Sequence, residues 1–189
     1  HDWHRANELV KVAGLLQQNA ARHPELSAVL SEAVGQVQAI AQVYGLQVGA
    51  SGPLEVAGLL RAIASSVQRT FGRAIGVEVA GAVPQLLPEA EAIPVALTVN
   101  ELLTNAIKHS AGGDVSCRLT VHGDDVCIRI ASAGTLPAGF DLAQVREGHG
   151  VAAAHLDGAV DVLEATAQHA RADTVAVLPG LGRDTLLHG

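Results

Sequence analysis

Residues 98–110, TVNELLTNAIKHS, place Leu102, Leu103, Ala106 and Ile107 at helical spacing, so the stretch reads as a helix with a buried side. The same stretch carries Glu101 and Asn105, one turn apart and therefore on one face. Magnesium takes oxygen ligands, and a carboxamide oxygen supplies one without adding negative charge beside a phosphate chain. A carboxylate one turn earlier can take a proton or orient a water. Lys108 and His109 follow on the next turn, where a cation can approach an anionic ligand. Taken alone, Glu-x-x-x-Asn is a short pattern that also describes a surface glutamate and a capping asparagine. Lys108 and His109 equally suit the negative end of a helix dipole. The decision between these readings therefore falls to the rest of the chain.

Outward from this helix, which spans 91–110 by its periodicity, the texture is mixed. Residues 54–71 form an Ala/Leu-rich helix, 75–80 a short strand, and 81–94 a proline-broken segment. Beyond the helix, DVSCRLTV (114–121) and DVCIRIAS (125–132) alternate around HGDD, which predicts a β-hairpin turning at Gly123-Asp124. In that register Val121 faces Val126 and Cys117 faces Ile130, while Cys127 points to the other side, so no disulfide is expected. A loop-rich stretch over 133–150 contains Gly134, Gly139, Gly148 and Gly150. A helix over 151–157 and strands near 160–166 and 173–178 complete the order, which suggests an α/β sandwich. Glycines after a strand (SAGTLPAGF, 132–140) and before a helix (GHG, 148–150) let backbone N–H groups curl round an anion, although a lone Gly-x-Gly is usually an ordinary turn.

The N-terminal quarter is different. Residues 2–22 and 25–45 are two helical periods separated by His23-Pro24, a turn because the residue before proline avoids the helical region. Leu9, Val12, Ala13, Leu16 and Ala20 mark the first stripe; Leu26, Val29, Leu30, Ala33, Val37, Ile40, Ala41 and Tyr44 mark the second. An antiparallel helical hairpin of this kind has little to bury its stripes against, and a second copy would complete a four-helix bundle. GLQVGASGP (45–53) reads as a linker. The expected organisation is a hairpin over 1–45, a linker over 46–53 and a second domain over 54–189, an α+β chain.

Composition limits the functions. Among 189 residues, 49% are hydrophobic and only 2% aromatic, so the core must be built from Ala, Val, Leu and Ile, and the composition argues against base-stacking recognition. A net charge of −7 argues against phosphate-backbone binding, so no nucleic-acid partner is expected. Two cysteines without zinc spacing fit a reduced, cytoplasmic compartment, and no apolar run approaches a membrane span, so no membrane contact within this chain is expected. The absence of methionine suggests a piece of a longer protein, such as the cytoplasmic part of a longer sensor.

In order, the polar helix, hairpin, Gly-x-Leu-Pro loop, Gly-x-Gly and final strands resemble the nucleotide-binding domain of two-component sensor histidine kinases, within the wider GHKL group and its Bergerat-type fold. ELLTNAIKHS (101–110) is similar to the family's N-box, AGTLPAGF (133–140) to its adenine-side loop, and GHGVAAAHL (148–156) to its glycine box. The resemblance covers roughly 54–180. It implies ATP and Mg2+ as cofactors, with Asn105 holding the metal and Glu101 as its acidic partner. Lys108, His109, Ser132, Gly134, Gly148 and Gly150 would face the nucleotide. HRANELVKVAGLLQ (4–17) resembles the phosphoacceptor helix of the His-Arg subgroup, which makes His4 the expected phosphoacceptor and His1, followed by Asp2, the alternative. The implied partners are a second copy, as a homodimer, and a response-regulator receiver domain.

Three departures stand out. Ala131 or Ser132 occupies the place of the adenine-reading aspartate, Asn7-Glu8 replaces the pair of asparagines after His-Arg, and QHARADTVAVLP (168–179) lacks the usual Gly-Thr. An ATP-dependent protein histidine kinase is the first reading. A histidine phosphotransfer protein or pseudokinase with a degenerate ATP site is the second. A serine kinase of the anti-sigma type is the third, and it leaves residues 1–45 without a use.

Overall fold

The apolar positions of residues 56–71 fall on one stripe, and the helix they make ends where Gly72 takes a left-handed conformation (φ 63°) and donates its N–H to Gln68 O. This helix and its neighbours are seen in a computed structural model that describes residues 2–48, 53–81, 85–122, 125–134, 161–168 and 171–178. Helices α1 (Asp2–Arg22) and α2 (Ser27–Gln47) are antiparallel and joined by a single 3-10 turn, Pro24–Leu26. Pro24 opens that turn, where its missing N–H costs nothing, so α2 starts two residues later than the periodicity predicts and runs to Gln47.

Next come β1 (Leu54–Glu55), α3 (Val56–Phe71), β2 (Ile75–Val79), β3 (Leu86–Leu87), α4 (Glu89–His109), β4 (Ser110–His122), β5 (Asp125–Gly134), β6 (Asp161–Gln168) and β7 (Arg171–Leu178). The expected helix over 54–71 loses its first two residues to β1, which pairs with β3 in a two-stranded ribbon. The main sheet has the order β2-β4-β5-β7-β6, with β2 parallel to β4 and every other pair antiparallel.

The predicted hairpin register holds: Val121 pairs with Val126 and Cys117 with Ile130, whereas Cys127 pairs with Thr120 and so lies on the opposite face from Cys117. Val115, Cys117 and Leu119 of β4 and Val126, Ile128 and Ile130 of β5 are buried against Leu59, Leu60 and Ile63 of α3 and Leu102, Leu103 and Ile107 of α4. The other face carries charge, including an Arg118–Glu78 ion pair at 3.4 Å between registered neighbours. Burial alternates along both strands, as a sheet covered by helices on one side requires.

Proline does not break the segment leading into α4 as expected. The helix begins at Glu89 and contains Pro94. A proline there forfeits one bond, to the carbonyl of Ala90, which is exposed, while the last four helical turns remain intact. The turn residues Gly123-Asp124, the predicted helix over 151–157, and His1, Gly148 and Gly150 lie outside the described residues.

Candidate functional site

Helix α4 buries Leu102, Leu103 and Ile107 against the sheet, which turns Leu97, Glu101, Thr104, Asn105 and Lys108 the other way. This second face is partly covered, because α2 crosses it. Together with α3, the two helices enclose a cleft of about 610 Å³. From α2 come Ser27, Ser31, Glu32, Gly35 and Gln38; from α3 come Ser66 and Thr70; from α4 come Asn100, Glu101, Thr104, Asn105 and Lys108. Thr70 Oγ1 donates to Ser66 O at 3.0 Å and to Gln38 Oε1 at 3.4 Å, linking α3 to α2.

Glu101 and Asn105 are half-buried and Lys108 is exposed at the end of the row. Burial, and then the Glu32 carboxylate facing it from α2, push the Glu101 carboxyl above its ordinary value of 4.5, partly offset by Lys108. The cleft thus holds two carboxylates from different helices, one cation, and a row of neutral oxygen and nitrogen donors. A carboxylate, a carboxamide oxygen and an ammonium on one helix face fit a magnesium-bound phosphate chain: hard oxygen ligands for the metal and a cation for the phosphates. Among the described residues no group of three or more His, Cys, Asp and Glu side chains comes together.

The other expected residues are distributed. Ser132 lies on β5 with the helix-facing residues Ile128 and Ile130, is 3% exposed, and does not line the cleft. Gly134 ends β5 and pairs with Ser110, the first residue after α4. His109 is the last residue of α4. His4 is exposed on the first turns of α1, and its neighbour Arg5 stacks over the Tyr44 ring, 5.7 Å from its centroid. Tyr44 lies six residues beyond Gln38, the last cleft residue of α2, about 9 Å at the rise of an α-helix, and neither His4 nor Tyr44 lines the cleft. Glu32, Gly35 and Asn100 escaped the sequence reading. Their only signal is a row of small residues, Ser27, Ser31 and Gly35, at near-helical spacing on α2.

No family model matches the chain, and no curated protein matches it. Solved structures do. The histidine kinase domain from the Erythrobacter litoralis EL346 blue-light activated histidine kinase superposes with a TM-score of 0.66 at 19% identity, over 99% of this chain and 97% of that one. In the longer Erythrobacter litoralis EL346 blue-light activated histidine kinase the TM-score is 0.63 at 21% identity, over 88% of this chain and 62% of that one. The Acinetobacter baumannii histidine kinase AdeS gives 0.52 at 12% identity, over 90% of this chain and 96% of that one. At these identities the likeness is one of architecture, and it extends over hairpin and sheet together: the chain has the fold of a histidine kinase domain.

Proposed function

We propose that the chain is the core of a sensor histidine kinase, which moves the γ-phosphoryl group of Mg-ATP to a hairpin histidine and from there to an aspartate of a response-regulator receiver domain. The observation that carries this reading is the shared cleft face of Glu101, Asn105 and Lys108 on a chain with the histidine kinase domain fold. In this reading residues 1–45 dimerise and carry the phosphoacceptor, His4 or alternatively His1. Residues 46–53 link, and 54–189 bind nucleotide. When bound, Mg-ATP supplies the phosphoryl group. Asn105 offers its carboxamide oxygen to the metal, Lys108 neutralises phosphate charge, and Glu101 accepts a proton. The raised value of Glu101 makes it a better proton acceptor than an ordinary carboxylate. Positioning and charge neutralisation account for most of the catalysis in this class of reaction. Gly148, Gly150 and His109 complete the nucleotide contacts in this proposal, together with Gly134.

A second reading, a phosphotransfer protein or pseudokinase, draws support from two observations. Ser132 stands where an acid would read adenine and is covered by protein, and His4 does not line the cleft. One experiment separates the two. The chain is incubated with γ-labelled ATP and magnesium, alone and as His4→Gln. A label that is acid-labile and base-stable, and that is lost in His4→Gln, supports the kinase. Absence of label from ATP, with labelling of His4 from a phosphorylated receiver domain, supports the phosphotransfer protein.

A further inference from the structure

Helix α4 ends without a glycine cap. It passes directly into β4 at Ser110, whose backbone is extended (φ −74°, ψ 141°), so the carbonyls of the last turn need outside donors. The donor is Arg73, half-buried in the short connection between α3 and β2. Its Nη1 donates to Ser110 Oγ at 2.8 Å and to Ile107 O at 3.4 Å, and its Nη2 donates to Gly113 O. Ser110 Oγ donates in turn to Ile107 O at 3.0 Å. Between Ser110 and Val115 the β4 register shifts, and Gly112 takes φ 80°, so this is an irregular piece of strand that its ladder alone does not hold. One planar guanidinium thus ties together the last turn of α4, the first residue of β4 and the bulge beyond it. A lysine ammonium, with a single point of charge, does not span such a fork.

The position of this tie is informative. Ile107 lies between Asn105 and Lys108, and Ser110 pairs with Gly134, where the stretch after β5 begins. Arg73 itself does not line the cleft. We infer that Arg73 is a positioning residue for nucleotide binding: it holds the final turn of α4 so that Asn105 and Lys108 present a fixed geometry to a magnesium-bound phosphate chain. This inference rests on the nucleotide-binding reading given above.

The test is calorimetric titration of the whole chain with ATP, in magnesium and in EDTA, for the parent, Arg73→Lys and Ser110→Ala. Loss of a positioned, charge-assisted contact corresponds to about tenfold in affinity. Arg73→Lys is expected to lose about that factor in magnesium and less in EDTA, where only the Lys108 contact is affected, so the enhancement by magnesium shrinks, while amide exchange over residues 105–113 rises. Ser110→Ala is expected to shift the same ratio in the same direction by less. The inference is overturned if folded Arg73→Lys keeps the parent's magnesium enhancement. It is equally overturned if affinity falls alike with and without magnesium, which marks a merely structural residue. If Arg73→Lys does not fold, Ser110→Ala decides, and a parental ratio there overturns the inference. Failure of the nucleotide reading itself shows in the parent, as a lack of magnesium enhancement, and takes the Arg73 role with it.

Discussion

Asn105 is half-buried and lines the cleft, so its side chain can be changed at little cost to the core. Asn105→Ala is expected to lower Mg-ATP affinity by about one to two decades, the worth of a contact to a charged partner, and to leave the melting temperature within about 2 °C. Calorimetry and a thermal melt check the two halves. Glu101 makes a prediction about pH. Its carboxyl titrates higher in the folded chain than in the unfolded chain, because burial and Glu32 disfavour its charge. The folded state therefore holds its proton more tightly, and stability falls as pH rises from the ordinary value of 4.5 through the raised one. Glu101→Gln removes that fall. Thermal melts of parent and variant from acid to neutral pH should converge at the acid end and diverge above it, the variant being the more stable at neutral pH. The Glu-x-x-x-Asn face was legible in the sequence because helical spacing alone puts both residues on one side. Glu32 was not, because its approach depends on how two helices cross.

At the scale of elements, two glycines with the same side chain do opposite things. Gly72 caps α3 at φ 63°, where a Cβ is strained, so Gly72→Ala should cost about 1 kcal/mol or more. Gly45 sits in α2, exposed, with nothing within 4 Å of an added Cβ, so Gly45→Ala should stabilise by about 0.5–1 kcal/mol. Urea titrations of both variants give the two signs directly. The hairpin also leaves apolar surface uncovered. Val10 and Leu15 on α1 are each 60% exposed, and Val29 on α2 is 68% exposed. If a second copy covers that surface, as we propose, Val10→Lys with Leu15→Lys should convert dimer to monomer at micromolar concentration without loss of helix. Light scattering and circular dichroism check it, and a parent that is already monomeric would remove the dimer. The extent of each of the four described helices was readable to within about two residues, a normal margin for helix ends. The exceptions have local causes: Pro24 delays α2, β3 captures Leu54 and Glu55, and Pro94 is tolerated inside α4.

For the whole molecule, the contact that organises the candidate site is α2 laid across α4. Ala39 and Val43 of α2 belong to the same buried cluster as α3, α4 and the sheet, so the hairpin is not covered by a second copy alone. The approach is close at Gly35, where an added Cβ would lie 3.4 Å from Asn100 Nδ2. A methyl group fits there, and a longer side chain would have to enter the cleft that Gly35 lines. Gly35→Leu is therefore expected to fill part of the cleft and weaken Mg-ATP binding in calorimetry, whereas Gly35→Ala should leave it unchanged. Unaltered affinity in Gly35→Leu would show that the nucleotide does not use this cleft.

Periodicity and turn chemistry act over a few residues, and they were enough to determine the helical hairpin, the β4–β5 register with Cys117 and Cys127 on opposite faces, and the shared face of Glu101, Asn105 and Lys108. Contacts between residues far apart in the chain leave no such local trace. Only the tertiary structure decided that β7 enters the sheet between β5 and β6, that Ser132 is sealed under the helices, that Arg73 reaches Ile107, Ser110 and Gly113, and that Glu32 and Gly35 of α2 close over the Asn105 face. The physical reason is the same in each case: burial and hydrogen bonding select partners by position in space, and that position exists only once the helices have packed on the sheet.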